Sequence, residues 1–540
     1  MEIIRLLLKK SSKNLFLAVI SSFISGASSA GLIAIINYAI ANSLNLPSWL
    51  FLLFISLCLI LWLFQFISQV VIARLSQEVI YDLRLEMIQR ILNCPLQHLE
   101  TIGSSKLLAT LTGDINAIAT GSIQLSTMIV NFAILIGVFV YLCRLSPLLF
   151  LIVLISIIVG LLLYEVVQEK GIKEFKRNRK VQNVLFTHFR SVTEGIKELK
   201  MHRHRRTSFI NEKLKSSAVN SKNSWIVGMT TFAFANTSGT FLFFAVIGFV
   251  LFVFPELKTV SIETISSYVL SVLHIIGPTS EIASSLPQMA RSNIALNEIK
   301  SLGLSISQPV VESNFITNEN CNSNWRSLEL IDINHTYRGH KNQKQFTLNN
   351  INIKFEKGEI VFIVGGNGSG KSTLVKLITG LYIPDKGKIV FDNCLITNEN
   401  REWYRQQFSV VFYDFYLFGN LIGIEIDRKE EIQNYLNLLE IGHKVTVTNG
   451  ILSTTDLSQG QCRRLALLTA YLENRPIYVF DEWASDQDPV FREVFYKKLL
   501  PELKSRGKTV IVISHDKSYF QECDSLIQLD YGRIVRKKRN

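Results

Sequence analysis

Six apolar stretches in the first half limit the fold of this chain more than any other feature: about 15–41, 48–73, 125–143, 147–168, 225–254 and 263–286. Each holds roughly 20 residues, enough to cross a hydrocarbon core of ~30 Å at ~1.5 Å per residue. Lipid-exposed strands would leave backbone groups without partners, so helices are expected. The third and fourth stretches touch at RLSP (144–147), which predicts a tight hairpin. The first has the look of a secretory signal ending near GASSA (26–30). Its apolar run continues to Ile35 and further spans follow, so an uncleaved helix is expected.

The loops between these stretches carry the orientation. Arg5, Lys9, Lys10 and Lys13 precede the first, and Arg74, Arg84, Arg90 and Lys106 follow the second. The loop over 169–224 contains KEFKRNRK (173–180) and HRHRR (202–206). The alternate loops, 42–47, 144–146 and 255–262, carry together only Arg144 and Lys258. Positive residues stay inside, so both termini are expected in the cytosol. The net charge of +13 is largely explained by this asymmetry, which weighs against a nucleic-acid partner. The two basic loops span about 50 residues each. Folded as helical hairpins they would reach ~35 Å from the membrane, as levers to a cytosolic partner or as a plain soluble cap. The seven cysteines form no C-x-x-C pair and no zinc spacing, which fits a reducing cytosol rather than a disulfide framework.

Residues 301–325 turn polar and rich in Ser and Asn, as a linker does. Beyond it, IVFIVGG (360–366), RPIYVFDE (475–482) and TVIVISH (509–515) are short β-branched runs separated by helical stretches. That pattern predicts an α/β domain with a buried, mostly parallel sheet. GGNGSGKST follows the first of these strands and opens a helix. Its residues are Gly365, Gly366, Asn367, Gly368, Ser369, Gly370, Lys371, Ser372 and Thr373. The spacing is that of a phosphate-binding loop. Glycines let backbone N–H groups curl around phosphate oxygens, Lys371 reaches the β and γ phosphates of ATP, and Ser372 ligates Mg²⁺.

Asp481, at a strand tip, is placed to hold the same Mg²⁺ through water. Glu482 is either the residue that orients or deprotonates the attacking water, or a charge at a helix N-terminus. His515 ends the next strand, where it can hydrogen-bond the γ-phosphate. Tyr337, upstream of the loop, either stacks on adenine or packs in the sheet. LSQGQ (457–461) holds no acid, base or metal ligand. Ser458 and the Gly460 backbone open a helix and so offer a second anion site, suited to the ATP of another copy.

Together the phosphate loop, LSQGQ, the FDE carboxylates and the histidine resemble the nucleotide-binding domain of ABC transporters. Six spans ahead of it resemble the exporter half-transporter. The resemblance implies an α-helical six-span transmembrane domain over 1–300, a linker over 301–325 and an ABC ATP-binding domain over 326–540. It implies a homodimer in which each ATP lies between one phosphate loop and the partner's LSQGQ. It also implies roles for Tyr337 on adenine, for Ser458, Gly460 and Gln461 in the facing site, for Asp488 between subunits and for His515 as a switch. Gln459 stands where most members have glycine, and Tyr413 stands where the family places a glutamine near Mg²⁺, with Asp414 adjacent.

GGNGSGKST, DEWASDQDP (481–489) and ISHDKSYF (513–520) look most like the cyclic-peptide exporter branch, which includes microcin and siderophore-peptide exporters. GIKELKMH (195–202) and LETIGSSKLLATLTGDI (99–115) resemble its coupling regions. The expected activity is ATP hydrolysis coupled to efflux of a peptide-like or amphipathic cargo through a bacterial plasma membrane. A drug or lipid exporter is the alternative. In the spans, Gln65, Gln69, Gln124, Asn131, Asn236, His274 and Glu281 are expected either to face a cavity or to serve helix packing.

Overall fold

The computed structural model describes residues 11–41, 47–257, 261–301, 325–337, 346–424 and 428–539. Arg5, Lys9, Lys10, Lys258 and residues 302–324 of the expected linker lie outside them. The chain divides into two compact units, Met1–Leu92 with Ile102–Ser305, and Asn93–Thr101 with Ile306–Asn540.

The first unit is helical. Its main elements are α1 (Ser12–Ala41), α2 (Ser48–Leu92), α4 (Ile115–Leu145), α5 (Pro147–Glu194), α6 (Lys215–Gly248) and α7 (Ile262–Ser301); α3 (Leu96–Ile102) falls almost wholly in the second unit. Among the described residues, five helical segments are long and apolar enough to cross a membrane: Ser12–Ile40, Ser48–Leu92, Ser104–Leu145, Arg203–Glu256 and Ile262–Ser301. In place of the fourth expected span, the described residues hold a shorter apolar run, Pro147–Gly160, at the head of α5. The expected spans also understate the helices. At 45 residues α2 is ~68 Å long, far more than a bilayer core needs, because the backbone has no reason to stop being helical where lipid ends.

Only 6% of the most apolar window of α2 is buried, so its large side chains face outward as a lipid-facing surface requires. Between helices an apolar core that includes Val138, Leu149, Phe243 and Val272 is supplemented by small and polar contacts. A Cβ on Gly26 would meet the Ala133 backbone at 2.4 Å, so α1 and α4 cross closely only because no side chain stands there. Ser22 and Ser68 hydroxyls lie 2.8 Å apart, Ser29 lies 3.0 Å from His274 Nε2, and the Asn37 amide donates to Tyr141. His274 thus joins two helices although it is exposed, and the Asn131 amide donates to the Thr127 carbonyl of its own helix. The expected hairpin is formed, with Ser146 extended between α4 and α5. The fully buried Tyr268 hydroxyl lies 2.6 Å from both the Leu142 and the Ser146 carbonyls and holds the turn.

The second unit is built on two sheets. Strands β1 (Ser327–Tyr337), β2 (Phe346–Glu356), β4 (Lys386–Phe391) and β5 (Cys394–Leu395) form an antiparallel sheet in the order β2-β1-β4-β5. Strands β3 (Ile360–Gly365), β6 (Phe408–Val411), β7 (Ile477–Asp481), β8 (Thr509–Ile513), β9 (Ser525–Asp530) and β10 (Arg533–Arg539) form the main sheet. Its order is β10-β9-β3-β8-β7-β6, parallel except for the β10 edge. Alternate residues of its strands feed two cores. Phe362, Phe480 and Val512 pack with Leu465 and Leu468, while Val361, Val479 and Ile511 pack with Leu374, Leu377 and the antiparallel sheet. Burial on both faces is why these strands read as unbroken apolar runs. Cys58, Cys94, Cys143, Cys462 and Cys523 are thiols, but Cys394 is disulfide-bonded, a departure from the expected reduced chain.

Candidate active site

Parallel strands with helical crossovers leave a crevice at their carboxyl ends. Here that edge gathers the phosphate loop after β3, Tyr413 and Asp414 after β6, Asp481 and Glu482 at the end of β7, and His515 after β8. The loop runs into α8 (Lys371–Ile378), capped by Gly370 at φ 103°. A side chain there would be strained, and its Cβ would meet the Phe346 ring at 2.8 Å. Gly366, Asn367, Gly368 and Ser372 are exposed, whereas Ser369 and Lys371 are buried. The N–H groups of Lys371, Ser372 and Thr373 open α8 and have no acceptor inside it, which makes an anion site.

The Lys371 ammonium donates to the Gly365 and Gly366 carbonyls, 3.1 Å each, and lies 4.0 Å from Glu482 Oε1. Burial pushes it below the usual lysine range, against the pull of Glu482 and Asp481. The same Glu482 oxygen is 3.2 Å from His515 Nε2. One carboxylate therefore joins the loop lysine to the histidine. Its backbone explains the aim: Glu482 sits at φ 49°, unusual for a residue with a Cβ, and its N–H donates to the Ile513 carbonyl on the neighbouring strand. The loop bearing His515 is held by Ser514 and Asp516, both bonded to the buried Tyr496 hydroxyl.

Asp481 is 4% exposed, and its Oδ1 has no hydrogen-bond partner. Burial first, then the charges of Glu482 and Asp414, push its carboxyl up to about 6. A buried carboxylate oxygen with no hydrogen-bond partner, near two further carboxylates, is the kind of oxygen donor that suits a hard divalent cation. Tyr413 is half-exposed, with its ring 5.1 Å from the Arg463 guanidinium. Tyr337 ends β1 in register with Phe346, whose ring flanks Gly370, so the sheet brings that tyrosine to the phosphate-loop side of the unit.

LSQGQ opens α9 (Gln459–Glu473) through a capping box. The Ser458 hydroxyl accepts from the Gln461 N–H at 3.4 Å, and the Gln461 side chain accepts from the Ser458 N–H at 3.3 Å. Gln461 is thus occupied in its own helix. A Cβ on Gly460 would meet the Asp486 carbonyl at 2.8 Å, and the Gly460 carbonyl accepts from Gln487 Nε2. The glycine is required by packing as well as by any ligand. Asp488 caps α10 (Pro489–Val494) through the Phe491 N–H and lies 2.7 Å from Arg464. The Phe491 N–H first and Arg464 second hold its carboxyl below the usual range.

Arg463 and Arg464 escaped the sequence reading. Arg463 is 1% exposed. It donates to the Glu482 and Trp483 carbonyls at 2.5 and 3.1 Å and to Ser485 Oγ at 2.7 Å, and it lies 2.8 Å from Asp486. The signal was present: an arginine pair followed by LALL in a helix asks for buried acceptors. Glu100, on α3, was also missed. It accepts from Lys376 at 2.7 Å and from the Tyr382 hydroxyl, inside the second unit.

A helical membrane unit on one chain with a phosphate-loop sheet unit defines an ATP-hydrolysing membrane transporter. The ABC transporter family model matches residues 348–485, and the ABC transporter transmembrane region matches 13–277. ATP-binding protein SyrD of Pseudomonas syringae pv. syringae is 35% identical over 545 residues, covering 99% of this chain and 96% of its own. Nisin transport ATP-binding protein NisT of Lactococcus lactis subsp. lactis is 30% identical over 244 residues, 42% of this chain and 40% of its own. A bacterial Atm1-family ABC exporter with ATP bound shares the fold at a TM-score of 0.77 and 17% identity, over 98% of this chain and 95% of that one. The chain belongs to the ABC transporters, and its ATPase unit couples ATP hydrolysis to transport across the membrane in which the helical unit is embedded.

Proposed function

We propose that the chain is half of a homodimeric exporter in a bacterial plasma (inner) membrane, and that its cargo is a cyclic or modified peptide of microcin or siderophore-like type. Counting Pro147–Gly160 as the head of a longer span gives six crossings, with both termini and the ATPase unit cytosolic. The observation that carries the reading is Glu482, held between Lys371 and His515 at the edge of the parallel sheet. Relatives named for nisin transport and for alpha-hemolysin translocation support secreted cargo, and the motif resemblance supports the peptide branch.

In this reading Lys371 exchanges the Gly365 and Gly366 carbonyls for β and γ phosphate oxygens. The backbone from Gly365 to Thr373 wraps those oxygens, and Tyr337 stacks on adenine. Ser372 and Asp481 would hold Mg²⁺, which would supply charge neutralisation of the phosphates. Glu482 orients and deprotonates the attacking water, while His515 fixes the γ-phosphate. Ser458 and Gly460, with Gln461 holding the cap, face the partner's ATP, and Asp488 lies by the subunit contact. Two enclosed ATP molecules supply the several kcal/mol that an inward-to-outward population shift needs.

Glu482→Gln is expected to bind ATP and release no phosphate; undiminished release refutes the assignment. A Ser458→Ala protomer mixed with a Lys371→Ala protomer is expected to recover part of the activity, since one composite site stays whole. No recovery argues against a shared site. Inside-out vesicles are expected to accumulate an amphipathic peptide with ATP. Uptake of lipid or dye but no peptide replaces the cargo with that of a drug or lipid exporter.

A further inference from the structure

The helical unit contains a cavity of about 500 Å³ at the end of the spans that carries the basic loops, lined by the start of α4, by α5, by α7 and by Trp225 of α6. Its walls bear two arginines and one aspartate. Arg179 is spoken for, because its guanidinium lies 2.5 Å from the buried Asp114 carboxylate and donates to Asn183. Arg291 is different. Its guanidinium carbon lies 3.8 Å from the Trp225 ring centroid and 4.4 Å from that of Phe175, so both aromatic rings pack against it. Among the described residues it donates to neutral groups, Gln288 Oε1 at 3.3 Å and Met229 Sδ at 3.0 Å, and its buried Nε finds no hydrogen-bond partner. Among the described residues no carboxylate lies within ion-pair distance of it.

A partly buried cation packed against two aromatic rings and left without an anion among the described residues is unusual for a helix bundle, and its natural complement is a planar anion that can accept from the guanidinium fork. With Arg179 neutralised, the walls carry one net positive charge. That suits a single carboxylate better than a phosphate dianion. The exposed rings of Phe186 and Phe189 add apolar surface, and Gln182 and Gln288 add amides that pair with a peptide backbone. The volume lies within the range of small-ligand sites.

We propose that this cavity is a cargo-recognition site, in which Arg291, braced by Trp225 and Phe175, binds the free carboxylate of an amphipathic peptide. The proposal rests on the peptide-export reading above and narrows it: the cargo carries one carboxylate beside apolar side chains.

The test uses the full-length protein in phosphatidylcholine nanodiscs without nucleotide. The probes are N-decanoyl-Leu-Phe-Gln-Leu as free acid and the same molecule as C-terminal amide, with binding followed by tryptophan quenching and by calorimetry. The acid is expected to bind at least about tenfold more tightly than the amide. Arg291→Gln is expected to equalise the two, and Arg291→Lys to keep part of the preference. The wild-type comparison needs no variant, so a misfolded mutant does not rescue the idea. Equal binding of both probes, no measurable binding of the acid, or a preference that persists in Arg291→Gln overturns the site. Loss of acid binding only in phosphatidylglycerol nanodiscs, by competition, assigns the pocket to a lipid headgroup and also overturns it. Arg291-dependent preference without ATP-driven uptake in vesicles upholds the site and refutes export. Uptake that ignores the carboxylate upholds export and refutes the site.

Discussion

Glu100 offers the sharpest quantitative test of how the long helices act. The α3 segment carrying it derives from the N-terminal half, yet it belongs to the nucleotide unit, where Glu100 meets Lys376 at 2.7 Å together with the Tyr382 hydroxyl. Lys376 lies on α8, the helix that begins with Lys371. Both charged side chains are largely buried, at 23% and 29% exposed. At an effective dielectric of ~20, opposite charges 2.7 Å apart attract by about 6 kcal/mol. Most of this is offset by desolvation, which leaves a coupling of about 1–2 kcal/mol. A double-mutant cycle with Glu100→Gln and Lys376→Met, read by thermal unfolding, is expected to return that value. Glu100→Ala, which also strips the acceptor from the buried Tyr382 hydroxyl, is expected to lower the unfolding temperature of the nucleotide unit by about 4–8 °C for a loss of about 2 kcal/mol. In vesicles the Glu100→Ala protein is expected to hydrolyse ATP while moving less of the proposed cargo per ATP. A coupling below about 0.3 kcal/mol with an unchanged transport-to-hydrolysis ratio refutes the idea that this contact transmits the motion.

Asp481 sets a pH dependence. Its carboxyl titrates near 6 when folded, above the ordinary aspartate value of 3.8, so the folded state holds the proton more tightly than the unfolded one. Stability without nucleotide therefore falls as pH rises from about 4 to about 6, by roughly 3 kcal/mol from this group. Asp481→Asn is expected to lose that portion of the pH dependence, and Mg²⁺ to restore stability to the wild type alone at pH 7.5; unfolding scans at pH 4, 5 and 7.5 decide it. Gly460→Ala forces a Cβ to within 2.8 Å of the Asp486 carbonyl and is expected to cost about 1–3 kcal/mol and most ATP turnover, measured by unfolding and phosphate release. Arg463→Met removes the side-chain donor to the Trp483 carbonyl and the partner of Asp486, while Ser485 still donates to the Glu482 carbonyl, and is expected to destabilise the unit by about 3–5 kcal/mol, seen as a lower midpoint in urea.

What the sequence made legible were features with local causes. Apolar runs announce helices because lipid removes the alternatives, and the phosphate loop announces itself because Gly368 and Gly370 sit at positive φ, where only glycine is comfortable. Glu482 and His515 were legible because adjacent parallel strands bring their ends together. Helix ends were not legible, since α2 and α5 keep their hydrogen-bond ladders well beyond any bilayer. Glu100, Arg463 and Arg291 were not legible for another reason. Each is defined by partners distant in sequence, and a charged residue in a helix looks the same whether it meets water, a carbonyl or a ring.

Glu482 also connects the two faces of the nucleotide unit. Its carboxylate lies by Lys371 and His515, where ATP chemistry is proposed, while its own carbonyl accepts from Arg463 on the helix that LSQGQ opens. Any rotation of the Glu482 peptide from its left-handed conformation changes the acceptor that Arg463 finds, and Arg463 has no water to fall back on at 1% exposure. The Gly460 carbonyl is tied to Gln487 in the same segment. A change at the carboxylate proposed to drive hydrolysis therefore bears on the same helix that Ser458 caps, the surface proposed to face the partner's ATP.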